Sequence, residues 1–184
     1  MCDRMRPMHS NDAAPDSAGS LGRVMAVWLA TGVGLGLVVP APGTVAGLWG
    51  LGLAAAVALL SPVGAQLGAI VLLAAAAAYV CGVAARSLGS QRDPGPIVLD
   101  EIVALPIVFV GVGPLNWAVL LAGYLLFRLC DVWKPGLARS AEHLPGGLGI
   151  VADDCVAAVL ACLLLHAAMG LDRSAGWNWL ASGA

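Results

Sequence analysis

Long apolar runs that end in charges, prolines or glycines constrain this chain more than any other feature. Val45 to Leu60 is one such run, closed by Ser61 and Pro62. Gly64 to Ala85 is a second, Ala-rich and closed by Arg86. Ile102 to Val112, Leu115 to Leu129 and Ile150 to Gly170 follow. A helix that crosses a bilayer needs roughly 20 apolar residues. Several of these runs are shorter, which suits helices whose polar ends sit inside the protein. Only 11% of the 184 residues are charged and 60% are hydrophobic. Soluble domains carry about a quarter charged residues. The deficit leaves too little polar surface for water, so lipid is the expected solvent. The expected fold is all-α: a polytopic helical membrane protein with about five transmembrane helices.

Residues 1–22 stand apart. They are polar, rich in Ser, Asp, Pro and Ala, and without periodicity, which reads as a disordered tail. Residues 23–184 then form one membrane-embedded domain. A signal peptide is the rival reading of the N-terminus, and the apolar stretch starts too far downstream for it. The run from Val24 to Val39 is broken by Gly32, Gly34 and Gly36 and followed by Pro40 and Pro42. Glycine and proline lower its helix propensity. It is expected to be half-inserted or buried in protein instead of crossing. With five crossings from Val45 onward, Arg86, Arg92, Arg128, Lys134 and Arg139 share one side, and Arg173 lies on the other. The positive-inside rule assigns the first side to the cytoplasm.

The same sorting collects the ionisable residues. Asp100 and Glu101 open the third run, Arg128, Asp131 and Lys134 close the fourth, and Asp153 and Asp154 open the fifth. Gly43 and Thr44 stand at the entrance of the first. Each acidic pair alone could complement the positive end of a helix. Arg128, Asp131 and Lys134 could be an intrahelical ion-pair ladder. Two acidic pairs at two helix starts on one side shift the balance towards a site. Asp131 near a helix C-terminus is opposed by the dipole, so it needs another reason to be there. Five carboxylates against Arg128 and Lys134 would repel a phosphate unless cations intervene. Hard oxygen donors select magnesium, manganese or calcium. A divalent metal bridging carboxylates and a phosphate is therefore expected, with Arg128, Lys134 and Thr44 on the phosphate oxygens. Gly146, Gly147 and Gly149 precede the fifth run, where a helix N-terminus can also hold phosphate. His143 and His166 are read as a loop residue and an interfacial residue.

The chain holds five cysteines and no CxxC pair, so neither a disulfide framework nor a zinc site is expected. Cys81, Cys155 and Cys162 read as packing residues. No basic patch suggests nucleic acid. The oligomeric state is not legible.

Ala41-Pro42-Gly43-Thr44, Ile97-Val98-Leu99-Asp100-Glu101, Phe127-Arg128-Leu129-Cys130-Asp131-Val132-Trp133-Lys134-Pro135 and Gly146 through Asp154 occur in this order. Together they resemble the blocks of the phosphatidylglycerophosphatase A family over roughly residues 25 to 168. The resemblance implies a magnesium-dependent, multi-pass phosphatase of the bacterial cytoplasmic membrane, its site facing the cytoplasm. The implied reaction converts phosphatidylglycerophosphate to phosphatidylglycerol and phosphate. Implied roles fall on Thr44, Asp100, Glu101, Arg128, Asp131, Lys134, Asp153 and Asp154. The chain departs from the family pattern at Ala46 and Gly47, where Gly-Ser is usual, and at Ala104 and Ala158, where glycine is frequent. Two other classes stay open. A CDP-alcohol phosphotransferase also uses membrane aspartates and metal, although its preceding Asp-Gly pair and later Asp-x-x-x-Asp are missing here. An ion-coupled transporter would place its carboxylates near the midplane instead of at one face.

Overall fold

The computed structural model describes residues 17–89, 95–133, 144–177 and 179–180. Within them every regular element is a helix: α1 (Ser17–Ala30), α2 (Leu35–Val38), α3 (Pro42–Ala58), α4 (Val63–Ser87), α5 (Leu99–Val108), α6 (Trp117–Trp133) and α7 (Gly147–Ser174). The five apolar runs became α3 to α7 in order. Their boundaries moved outward where the flanking sequence permits helix. Pro42 enters the first turn of α3, where its missing N–H costs nothing. At the other extreme, Pro106 lies inside α5 and the helix ends two residues later.

Only α4 and α7, with 25 and 28 residues, are long and apolar enough by themselves to cross a membrane among the described residues. The expectation of about five transmembrane helices is cut back to these two candidate spans among the described residues. α3 and α6 have 17 residues each, about 25 Å at 1.5 Å per residue. α5 has 10. Prolines explain the shortness: Pro42 and Pro62 bracket α3, Pro106 curtails α5, and Pro114 precedes α6.

The Gly-rich N-terminal run is not one helix. α1 ends at Ala30, and Gly32, Val33 and Gly34 all take positive φ before α2 begins. Thr31 is fully buried at this break; its hydroxyl donates to Val27 O at 2.8 Å and accepts the Gly34 N–H at 3.2 Å. α1 starts at Ser17, so the last part of the stretch read as a disordered tail is helical. There Arg23 Nε donates to Gly19 O across one helical turn, at 3.0 Å.

Two apolar clusters hold the bundle. One joins Ala54 of α3, Leu105 and Phe109 at α5, Phe127 of α6, and Ala158 and Leu165 of α7. The other joins Ala30, Ala77, Cys81 and Ala84 with Val103, Ile150 and Val151. α5 and α7 contribute to both, so the two helices that carry the acidic pairs form the centre. Ala104 and Ala158, two departures from the pattern the chain resembles, are fully buried in the first cluster. Here a methyl group fills the position.

α4 and α7 meet backbone to backbone. A Cβ on Gly147 would collide with the Ala78 carbonyl, and one on Gly82 would lie 3.1 Å from Gly147 N. Gly147 therefore sets the start of α7 by close packing. The ends remote from the acidic residues are tied by polar side chains. Gln66 donates to Leu60 O at 3.1 Å and accepts from Gly111 N at 3.3 Å. Buried Asp172 accepts the N–H groups of Trp179 and Leu180, at 3.1 and 2.9 Å.

Candidate active site

The starts of α3, α5 and α7 and the end of α6 meet at one end of the bundle. α5 is anchored first: the Val98 N–H donates to Ala30 O at 2.9 Å, and Ile97 and Val98 are buried. Asp100 and Glu101 then fall in the first turn, as the sequence predicted. Asp100 is buried, and its Oδ1 accepts the Glu101 N–H at 3.0 Å. The entrance of α3 lies against Glu101. Ala41 takes a left-handed conformation, φ 60 and ψ 60, and Pro42 follows at the helix start. A Cβ on Gly43 would strike the Glu101 carboxylate. Glycine at 43 is what lets that carboxylate rest on the α3 backbone.

α6 supplies the cation. Arg128 Nη1 donates to Glu101 Oε2 at 2.9 Å and to Asp131 Oδ2 at 3.2 Å. The second contact is the intrahelical pair that the three-residue spacing allows. The first joins α6 to α5, so Arg128 is more than one rung of a surface ladder. It also compensates Asp131 in the last turn of α6, where the helix dipole opposes a carboxylate.

Asp153 and Asp154 are buried in α7. Because that helix begins at Gly147, the pair lies in its second turn, and the first turn holds no acid. Dipole stabilisation fades beyond the first turn. Helix capping is thus a poor reason for these residues to be acidic. Asp154 Oδ2 is buried and has no hydrogen-bond partner among the described residues. An uncompensated buried carboxylate oxygen is costly.

All five carboxylates and Arg128 line one cleft of about 370 Å³, with Ala41, Pro42 and Gly43 on its rim. Among the described residues three larger cavities, 600–620 Å³, do not combine acidic and basic side chains.

The family model for phosphatidylglycerophosphatase A matches residues 28–169. The chain belongs to the phosphatidylglycerophosphatase A family. It is 38% identical over 144 residues to phosphatidylglycerophosphatase A of Haemophilus influenzae, covering 76% of this chain and 85% of that protein. Against phosphatidylglycerophosphatase A of Escherichia coli it is 35% identical over 89 residues, 48% of this chain and 51% of that one. It is also 34% identical over 148 residues to a provisional phosphatidylinositol-3-phosphatase of Bacteroides thetaiotaomicron, covering 77% and 92% of the two chains. No solved structure matches the chain.

The region matched by the phosphatidylglycerophosphatase A family model contains every predicted site residue. The structure brings Asp100, Glu101, Arg128, Asp131, Asp153 and Asp154 to the cleft. Thr44 is next to it but exposed, and is not part of its lining. Lys134 and His143 lie outside the described residues. Tyr124 was not anticipated. Its hydroxyl donates to Thr44 O at 3.0 Å, and its ring occupies the space that a Cβ on Gly47 would need. A serine at position 47 would meet the ring. The available signal was spacing: Tyr124 precedes Arg128 by one helical turn on the same face.

The donor chemistry fits a hard divalent cation: carboxylate oxygens from three helices, one of them buried without a hydrogen-bond partner. Among the described residues, no three acidic, His or Cys side chains are already gathered tightly enough to hold a metal ion. Arg128 instead engages two of the carboxylates. Cys130 is buried in the core and does not line the cleft. Cys81 is buried, while Cys155 and Cys162 are half-buried.

Proposed function

We propose that this chain hydrolyses phosphatidylglycerophosphate to phosphatidylglycerol and inorganic phosphate, in the bacterial cytoplasmic membrane, with the cleft facing the cytoplasm. The observation that carries the reading is the cleft itself. Five carboxylates and an arginine, drawn from helices far apart in sequence, converge at one end of an apolar bundle. Family membership supplies the reaction.

Arg128 is the group suited to the phosphate. Its planar guanidinium can give two parallel hydrogen bonds to phosphoryl oxygens. To do so it leaves Glu101 or Asp131, and the released carboxylate becomes available. Asp100, Asp153 and Asp154 are the residues that would hold magnesium. Bound there, the ion would neutralise the carboxylates and polarise the phosphoryl group. A carboxylate of the cleft takes the proton from the attacking water. The new P–O bond forms as the bond to the glycerol oxygen breaks, and that oxygen receives a proton. Among the described residues no thiol lines the cleft, and attack by water is favoured over a cysteine intermediate. Thr44, next to the cleft, and Lys134 are proposed to add hydrogen bonds and charge for the phosphate.

The membrane setting rests on the apolar helices. α4 and α7 would cross fully, while α3, α5 and α6 would traverse with their polar ends sheltered in the protein. The α1–α2 break would keep the N-terminal run from crossing. The cleft would then lie at headgroup level, where an anchored substrate enters sideways. The Bacteroides relative gives a second substrate some support, a phosphoinositide with the same monoester chemistry.

The test is phosphate release by the purified protein from phosphatidylglycerophosphate and from phosphatidylinositol 3-phosphate, each with and without magnesium. Magnesium-dependent release from the first, exceeding the second, is expected. No release from either, or release of CMP from a CDP-alcohol lipid, would sink the reading.

A further inference from the structure

The break between α1 and α2 sits directly against the segment that starts α5. Gly32, Val33 and Gly34 all take positive φ. Glycine does so freely, whereas a β-branched residue at φ 61 is held there by its surroundings. The Val33 N–H donates to Trp28 O at 2.8 Å and the Gly36 N–H to Thr31 O at 2.9 Å, so the backbone closes on itself and α1 is not continued. Residues 96–98 pack into this bend. A Cβ on Gly36 would strike the Pro96 carbonyl, and one on Gly32 would lie 3.0 Å from Val98 Cγ2.

Thr31 directs the hydrogen bonds at the break. In an uninterrupted α-helix the Gly34 N–H would donate to Ala30 O, four residues back. Here it donates to the Thr31 hydroxyl at 3.2 Å, and that hydroxyl in turn donates to Val27 O at 2.8 Å. Ala30 O is thereby released and accepts the Val98 N–H at 2.9 Å. Val98 immediately precedes α5, and its own carbonyl accepts the Ile102 N–H at 3.2 Å. The same residue therefore ties α5 to α1 and begins the α5 hydrogen-bond ladder. Asp100 and Glu101 follow it in the first turn and line the cleft together with Ile97. Thr31 is fully buried and does not line the cleft itself.

We infer that Thr31 is a positioning residue for the hydrolysis: its hydroxyl takes the Gly34 N–H, frees Ala30 O to hold Val98, and so fixes the α5 turn that carries Asp100 and Glu101. The inference rests on the phosphatase reading of the cleft. It gives the N-terminal break a part in the active site, beyond keeping that run from crossing the membrane. A misplacement of about 1 Å at reacting groups can lower a rate about 10²-fold, so a small rotation of α5 is enough to matter.

The experiment uses three variants. Thr31→Val removes the hydroxyl at nearly constant volume, and Thr31→Ser keeps it. Gln66→Leu is the control, since it removes a buried polar tie at the opposite end of the bundle. For each, kcat and KM on phosphatidylglycerophosphate in mixed micelles are measured below the midpoint of thermal unfolding, together with hydrogen exchange at the Val98 amide. Thr31→Val is expected to lose about tenfold or more in kcat with KM little changed, and to lose protection at Val98. Thr31→Ser should retain both, and Gln66→Leu, though destabilised, should keep kcat near wild type. Wild-type kcat in Thr31→Val, or an equal loss in Thr31→Ser or in Gln66→Leu, would overturn the positioning role. Should Thr31→Val not fold, the wild type still decides: fast exchange of the Val98 amide beside a protected α5 would overturn the role as well. A wild type inactive on phosphatidylglycerophosphate would overturn the phosphatase reading itself, and the role of Thr31 with it.

Discussion

Gly43 has no room for a side chain because the Glu101 carboxylate occupies that space. Gly43→Ala should therefore displace Glu101 and loosen its pair with Arg128. Overpacking of this kind costs about 1–3 kcal/mol. Turnover should fall more than helicity does, and phosphate release alongside thermal unfolding would check it. Unchanged turnover would mean that the Glu101 position is immaterial. Tyr124→Phe keeps the ring beside Gly47 and removes only the hydrogen bond to Thr44 O. One such bond contributes about 0.5–1.5 kcal/mol. A modest loss of activity with an intact fold is expected, so steady-state kinetics would reveal a larger role as a large loss. Cys81, Cys130, Cys155 and Cys162 sit among packing residues or half-buried on helices. A variant with all five replaced by Ala or Ser should keep its activity, and inactivity of folded Cys130→Ser alone would restore a thiol mechanism.

At the scale of elements, the five apolar runs were legible because a run closed by Pro, Gly or charge has few alternatives to helix. Their ends were less so. α7 begins at Gly147 instead of near Ile150 because Gly147 packs directly on α4, a tertiary contact that no local pattern announces. The shift moved Asp153 and Asp154 out of the first turn and weakened their reading as dipole complements. The acidic cluster itself was legible from sidedness alone. The Glu101–Arg128 bridge was not, since it joins residues 27 apart through the angle between α5 and α6. Two glycines of α7 give the test at this scale. Gly147→Ala should destabilise by about 1–3 kcal/mol, since backbone blocks the new methyl. Gly170→Ala meets nothing within 4 Å and should be neutral or stabilising by up to about 1 kcal/mol. Thermal unfolding of the two variants would show the contrast, and equal behaviour would contradict the close α4–α7 contact.

For the whole molecule, chain direction alternates from α3 to α7, so one end gathers the cleft and the other the turns near Pro62 and Gly113. Arg86 and Arg128 lie towards the cleft end and Arg173 at the other. That asymmetry favours the cleft in the cytoplasm. A single cysteine at Ser87, in a background lacking native cysteines, should react with impermeant reagents only after the membrane is opened. One at Ser174 should react in intact cells. The reverse pattern would invert the topology. If the acidic cleft performs the hydrolysis, its carboxylates must govern turnover. Turnover of phosphatidylglycerophosphate is followed against magnesium concentration for the wild type and for Asp100→Asn, Asp131→Asn, Asp153→Asn and Asp154→Asn, with helicity checked by circular dichroism. Asn keeps the size and removes the charge. If the carboxylates were only dipole complements, each change would cost roughly 0.3–1 kcal/mol of stability and spare turnover. Folded variants slowed by at least about tenfold are expected, ~1.4 kcal/mol in the barrier, with partial recovery in excess magnesium where affinity is the main loss. Near-normal turnover of all four at low magnesium would contradict it.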